Sequence, residues 1–236
     1  MIKLSKRLSS VAQLVGKNMR LADVGTDHGY IPIYLIQAGE IAHGIAMDVN
    51  RGPLLRAQEH IRNEKLETYI DTRLSDGLST LIPGEVDSVV IAGMGGNLMM
   101  RILREGEAVV NQLTELILQP QSEVEEVRRF LKTAGWSIVA EDIVEEDGKY
   151  YFPMKAQPIL DHQNSSAYSE ADYRYGRLLI KAKHPVLLEY LEKEEAICIQ
   201  IRDSLSRQEM TPAIIQRKEE LAKRIGTIHQ ALREMA

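Results

Sequence analysis

The chain has 236 residues, 44% hydrophobic and 27% charged, the balance of an ordinary folded protein and not of a disordered or fibrous one. Its one cysteine, Cys198, rules out an internal disulfide and a zinc site built on thiolates. No apolar run reaches the ~18–20 residues that a membrane helix needs, and Met1-Ile-Lys-Leu-Ser-Lys-Arg7 lacks the apolar core of a secretory signal. A cytoplasmic protein without membrane attachment is therefore expected, working as a monomer or weak dimer. The net charge of −5 is uneven: residues 1–20 hold Lys3, Lys6, Arg7, Lys17 and Arg20 and no acid, a local +5 that leaves −10 on the remainder. Such a basic end either solvates one helix face or holds a phosphate backbone.

Leu4, Leu8, Val11, Ala12 and Val15 recur at helical spacing, which predicts an amphipathic helix from Leu4 to Val15. Short apolar runs then alternate with longer helical stretches. Strands are expected at Arg20–Val24, Ala42–Val49, Tyr69–Leu74, Ser88–Ala92, Glu115–Gln119 and Ser137–Val144, with helices at Ile31–Ala38, Gly52–Glu64, Asn97–Gly106 and Glu123–Ala134. Alternation of this kind, with runs such as Val89-Val-Ile-Ala92 apolar at every position, implies an α/β protein whose parallel sheet is covered on both faces. Glu145-Glu-Asp-Gly148 carries a turn signal between Ser137–Val144 and Lys149–Ala156, so the sheet should end in an antiparallel hairpin.

After Pro158 the pattern changes. Asp161-His-Gln-Asn-Ser-Ser-Ala167 reads as a polar linker, dividing the chain into domains 1–160 and 161–236. Leu187, Leu191, Glu194, Cys198, Ile201 and Leu205 step by four and three, and Ile214, Lys218, Leu221, Ile225, Ile228 and Leu232 step identically. Two heptad stretches around Gln208-Glu-Met-Thr-Pro212 predict an antiparallel coiled-coil hairpin, with Thr211 as N-cap and Pro212 as first helical residue. Cys198, on the seam, reads as a small buried hydrophobe.

Chemistry-bearing residues gather where strands should end. Asp23-Val-Gly-Thr-Asp-His-Gly-Tyr30 follows the first strand and opens a helix, the place where an open parallel sheet holds its ligand. Gly25 and Gly29 suit a tight turn or close backbone approach. The loop, with Thr26 and His28 inside it, is not G-x-G-x-x-G. Its acids Asp23 and Asp27 disfavour a pyrophosphate and favour a cationic ligand such as S-adenosyl-L-methionine. Asp48 ends the second strand, 23 residues after Gly25, where an acid can accept from ribose hydroxyls. Ser75-Asp76-Gly77 ends the third, placing a carboxylate within reach of an adenine amine. Ala92-Gly93-Met94-Gly95-Gly96 ends the fourth, where backbone must come close to ligand or substrate. Each is a plausible turn alone; four in succession around one crevice point to a site.

These residues carry a resemblance. Leu4-Ser-Lys-Arg-Leu8, Ala22-Asp-Val-Gly-Thr-Asp-His-Gly-Tyr30, Asp48, Ser75-Asp-Gly77, Ile91-Ala-Gly-Met-Gly-Gly96 and Leu118-Gln-Pro-Gln121, together with the helical tail, resemble the class I S-adenosylmethionine-dependent methyltransferases. The likeness is nearest to the TrmK family, which methylates N1 of adenine 22 in tRNA. It implies a Rossmann-like catalytic domain followed by a coiled-coil hairpin, with S-adenosyl-L-methionine as cofactor and tRNA as substrate. Lys3, Lys6, Arg7, Lys17 and Arg20 would then meet RNA, their helix packed beside the crevice.

The residues fit that chemistry. C5 methylation of a pyrimidine needs a cysteine nucleophile, and Cys198 lies in the tail. The D/N-P-P-Y/F tetrapeptide of many exocyclic-amine methyltransferases is absent after the fourth strand. A ring nitrogen already has a lone pair and needs placement more than activation, while its cationic product welcomes a carboxylate. Asp27 and His28 are the candidates nearest the transferred methyl, against the plainer readings of an Asx turn and a structural hydrogen bond. Tyr30 stacks on the base or packs on its helix. Asn97 and Gln119-Pro-Gln121 lie on the substrate side. His43, His60, His162, His184 and His229 have no metal-ligand spacing, so no metal is expected. Rival readings are a nicotinamide-dependent oxidoreductase, which should show the missing glycine fingerprint, and a non-catalytic RNA-binding adaptor.

Overall fold

The computed structural model describes residues 1–159, 167–207 and 211–236. The chain falls into two units, Met1–Asn164 and Ser165–Ala236. The linker expected at Asp161–Ala167 and the turn around Gln208 lie largely outside the described residues.

In the first unit, α1 (Lys6–Leu14) starts at Ser5, whose hydroxyl accepts the Leu8 N–H at 3.3 Å, a conventional N-cap. Then follow β1 (Leu21–Val24), α2 (Tyr30–Gln37), β2 (Gly44–Asp48), α3 (Arg51–Asn63), β3 (Ile70–Leu74), β4 (Ser88–Gly95), α4 (Gly96–Glu105), α5 (Glu107–Val110), β5 (Glu115–Ser122), α6 (Val124–Thr133), β6 (Trp136–Glu141), β7 (Val144–Glu146), β8 (Lys149–Tyr151) and β9 (Met154–Pro158). The seven-stranded sheet runs β3-β2-β1-β4-β5-β9-β6. β1 to β5 are parallel, with Leu21 opposite both Gly44 and Ser88, and β9 is antiparallel to β5 and β6. The central strands are buried on both faces, with Val89, Val90 and Ile91 fully enclosed, as their unbroken apolar runs require. On one face Val11, Ala12 and Val15 pack with Ile31, Leu35, Val90 and Ile117. α1 thus lies on the sheet beside α2. The strand order reverses between β2 and β4 on either side of β1, so a crevice opens at the carboxyl ends of β1 and β4.

The C-terminal hairpin is more divided than the sequence pattern suggests. β6 pairs with β9, Ile138 opposite Ala156, while β7 and β8 form a separate ribbon, Val144 opposite Tyr151. Asp147 and Gly148 both have positive φ at its tip, the backbone of a tight hairpin turn. The break has two causes. Pro153 has no N–H to give a ladder, and Ile143 and Phe152 turn into the core. The ladder of β4 and β5 also runs further than expected, to Gly95 and Ser122, with register shifts at Met94.

In the second unit, an unforeseen π-helical turn (Asp172–Gly176) and α7 (Arg177–Lys181) precede α8 (Pro185–Leu205) and α9 (Pro212–Met235). Asp172 accepts from the Ser169 N–H at 2.9 Å and from Arg177 Nε at 3.2 Å, fixing this extra turn. α8 and α9 are antiparallel: Lys183 Nζ donates to the Ala236 carbonyl at 2.7 Å, and Arg224 Nε donates to Glu194 at 2.7 Å. Thr211 caps α9 by accepting the Ile214 N–H at 3.3 Å. Leu187, Leu191, Glu194 and Cys198 are buried against a seam of Leu221, Ile225 and Ile228. Beyond Ile228 the buried face of α9 shifts to Ala231 and Met235, with Leu232 half-buried; α7 as well as α8 packs on α9, so this helix is covered on more than the one heptad seam. Ile201, Leu205, Ile214 and Lys218 are half-buried as well. Glu194, a charge on an apolar seam, accepts from Tyr175 Oη at 2.7 Å and from Arg224. Burial pushes the Cys198 thiol up, consistent with an inert packing residue.

Candidate active site

The segment after β1 turns over the end of β2. Gly25, at φ +77°, and Thr26 both donate their N–H groups to the Met47 carbonyl, at 2.8 and 2.9 Å. A Cβ at Gly25 would meet the flexible tip of the Met94 side chain, so the demand for glycine comes mainly from its positive φ. The Thr26 hydroxyl accepts the Gly29 N–H at 3.0 Å, and Gly29, at φ +68°, opens α2. Asp23 is buried at the end of β1. Enclosure lifts its carboxyl to about 6, opposed by a hydrogen bond from Thr26 and aided by the nearby Asp48 charge. Asp48, buried at the end of β2, accepts the Asn50 N–H on Oδ1 at 2.6 Å.

A cavity of about 370 Å³ sits on this edge. Asp23 and the Gly25–Ile31 segment form one side, Ala92 and Gly93 a second, and Gln121 with Arg7 and Leu8 of α1 the third. Arg7 donates to Gln119 Oε1 at 2.8 Å, and its guanidinium stands 5.6 Å from the Tyr151 ring centre. α1 therefore does border the crevice, through Arg7. Lys3 and Lys6 are exposed at its start. Lys17 and Arg20 are placed elsewhere. They flank the opposite, amino end of β1, where Lys17 pairs with Glu40 at 3.2 Å and Arg20 with Asp87 at 2.6 Å.

The other strand-end residues divide in the same way. Ser75 Oγ donates to the Gly77 carbonyl at 3.0 Å, and Asp76 is exposed at the end of β3. With Asp48 they share the carboxyl edge but not the lining of the cavity. Gly93, at φ +82°, faces the cavity; a Cβ there would stand 3.4 Å from Arg7 Nη1. Gly96 instead lies under α6, where a Cβ would be 2.6 Å from the Ser122 carbonyl oxygen. That glycine serves helix-on-strand packing.

Asp27 is exposed and fully engaged. Oδ1 takes Arg56 Nε at 3.1 Å as well as Arg56 Nη2, and Oδ2 lies 3.2 Å from His28 Nε2. Arg56 and then His28 hold its carboxyl below the usual range. His28, Tyr30 and His60 stack in near-parallel planes, with centres 4.9, 5.0 and 5.2 Å apart. Arg56 and His60 are absent from the sequence-based set. Their one signal was a four-residue spacing on a helix that follows the second strand. No group of three or more His, Cys, Asp or Glu among the described residues could hold a metal ion.

A buried carboxylate beside a positive-φ glycine, with a second carboxylate at the next strand end, suits a ligand that carries both cationic charge and hydroxyls. Known proteins point the same way. A family model described as a methyltransferase domain matches residues 4–154. The tRNA (adenine(22)-N(1))-methyltransferase of Bacillus subtilis is 32% identical over 235 residues, 98% of either chain. The crystal structure of a Streptococcus pneumoniae protein, described as a candidate tRNA (m1A22) methyltransferase and bound to S-adenosyl-L-methionine, is similar at TM-score 0.84. It is 33% identical and covers 98% of this chain and 100% of its own. TrmK of M. capricolum, solved with S-adenosyl-homocysteine, gives TM-score 0.83 and 27% identity over 99% of both chains. Near-complete coverage, both units included, leaves neither the oxidoreductase nor the adaptor reading in place: the chain belongs to the TrmK family of S-adenosylmethionine-dependent methyltransferases.

Proposed function

We infer that this protein methylates N1 of adenine 22 in tRNA, with S-adenosyl-L-methionine as methyl donor. The observation that carries the reading is the 32% identity to the Bacillus subtilis enzyme along 98% of both chains. The residues present fit the cofactor. Asp48 has one carboxylate oxygen tied to the Asn50 N–H, and the other suits a ribose diol. Asp23, buried beside Gly25, suits the cofactor's ammonium group, and Asp76 suits the adenine amine. Gly25, Gly29, Gly77 and Gly93, all at positive φ, let backbone approach closely.

When bound, the cofactor supplies an electrophilic methyl on a sulfonium; as N1 bonds to that carbon the S–C bond breaks, leaving a thioether and a cationic adenine. The protein's task is placement and exclusion of water. Tyr30 and His28 offer flat faces at the cavity for the base. Asp27, held ionised by Arg56 and His28, sets negative charge beside the developing cation. Arg7 and Gln121 close the side by which substrate enters. Lys3 and Lys6 are well placed for phosphate contact, and the α8–α9 pair of the second unit would supply a further surface for the tRNA. We place the protein in the cytoplasm with its substrate; among the described residues no helix is long and apolar enough to cross a membrane.

The test is incubation with labelled S-adenosyl-L-methionine and unmodified tRNA, followed by mapping of the product. Label at N1 of adenine 22, lost when that base is changed, is the expected result. Transfer to another position, or to none, overturns the reading.

A further inference from the structure

One turn of α3 grips the segment that faces the cavity. Arg56 and His60 are four residues apart and so share a helix face. Arg56 binds Asp27 Oδ1 through both Nε and Nη2. His60 Nδ1 lies 3.1 Å from the His28 carbonyl, an oxygen that can only accept, so Nδ1 carries the proton. Between them Ala57 packs on the next residue: its Cβ would stand 3.5 Å from a Cβ at Gly29. Three successive residues, Asp27, His28 and Gly29, are therefore met by three residues of one helix turn. The grip continues through the side chains. Asp27, held at Oδ1, turns Oδ2 to His28 Nε2 at 3.2 Å, and the His60 ring stacks on those of His28 and Tyr30.

An exposed ion pair adds little to global stability. Arg56 and Asp27 are about half exposed, at 48% and 59%. The pair is thus poorly placed to hold the fold together and well placed to hold a loop.

We propose that Arg56 and His60 are positioning residues, which fix Asp27 and His28 in the geometry that the methyl acceptor meets. Neither touches the reacting atoms; each acts through the 27–29 segment. The proposal rests on the reading that this segment faces the adenine.

The experiment uses the full-length protein with Arg56→Ala, His60→Phe and His60→Asn, and with Arg62→Ala as an exposed control on the same helix. Arg56→Ala and His60→Phe should lower kcat roughly ten- to a hundredfold, the scale of a small misplacement, with cofactor affinity and thermal midpoint nearly unchanged. His60→Asn keeps a donor near the position of Nδ1 and should recover much of the rate; His60→Phe keeps the ring and should not. Arg56→Ala added to Asp27→Asn should cost little beyond Asp27→Asn alone, because both act at one carboxylate. Wild-type kcat in Arg56→Ala or His60→Phe overturns the proposal, as do fully additive losses. If the wild-type protein fails to methylate tRNA, the functional reading falls, and hydrogen exchange then judges the brace by itself. Faster exchange at the Gly29 and Tyr30 amides in both variants supports it; unchanged exchange overturns it.

Discussion

Replacing Asp23 by Asn should make the cofactor-free protein more stable at neutral pH. Asp23 is 5% exposed, and burial lifts its carboxyl from 3.8 to about 6. A displacement of that size corresponds to about 3 kcal/mol between the protonated and ionised forms. The native state holds this proton more tightly than the unfolded chain does. The wild-type protein therefore has its full stability, as far as Asp23 is concerned, below the unfolded value near 4, and loses it as pH rises through about 6. Asparagine keeps an acceptor for the Thr26 hydroxyl and carries no charge. Denaturant unfolding of both proteins, followed from about pH 4 to about pH 7.5, should show equal stability at the acid end and a gap opening across the interval. The gap should reach at most about 3 kcal/mol at the neutral end, because relaxation and water entry reduce the cost of a buried charge. Calorimetry on the same variant should show weakened S-adenosyl-L-methionine binding, stability having been gained where function needs a buried charge. A gap that is absent at neutral pH, or already full at about pH 4, refutes the reasoning.

Other outcomes follow from the same geometry. Cofactor affinity of the wild-type protein should fall as pH drops below about 6, as Asp23 takes up its proton; calorimetry across that range checks this. Asp48→Ala should weaken S-adenosyl-L-methionine by about 1.5–3 kcal/mol, the worth of hydrogen bonds to a charged acceptor, and unchanged affinity removes Asp48 from the site. Gly96→Ala should cost about 1–3 kcal/mol in denaturant unfolding through overpacking against the Ser122 carbonyl, although Gly96 does not line the cavity. Neutralising Lys3 and Lys6 together should flatten the salt dependence of tRNA binding by about two units of log–log slope if both meet phosphate. Neutralising Lys17 and Arg20, paired at the far end of β1, should leave it unchanged.

What could be read from the sequence was what neighbouring residues determine. The unbroken apolar run Val89–Ala92 marked a central strand, and acids and glycines just past each strand marked the crevice edge, because a parallel sheet places all its carboxyl ends together. The division of the hairpin was legible in part: Pro153 inside a presumed strand is a warning that a ladder cannot continue. Other features depend on residues far apart in the chain. Nothing beside Lys17 or Arg20 announces Glu40 or Asp87. Gly96 looks like its glycine neighbours until α6 is laid over it. His60 has no metal-ligand spacing to mark it, and its partner is a backbone carbonyl 32 residues earlier, which no side-chain motif encodes.

The insertion of β9 between β5 and β6 bears on how the chain is made. β6 leaves the ribosome before β9, and among the described residues β9 is its one neighbour in the sheet. Until Met154–Ala156 emerge, the edge of β5 at Leu116, Ile117 and Leu118 stays open, an apolar strand edge of the kind that pairs with other chains. Leu118 and Ala156 are 38 residues apart, so at ~5–20 residues per second that edge waits about 2–8 s for its partner. Nascent chains paused between these positions are the species on which a chaperone would have the most to cover.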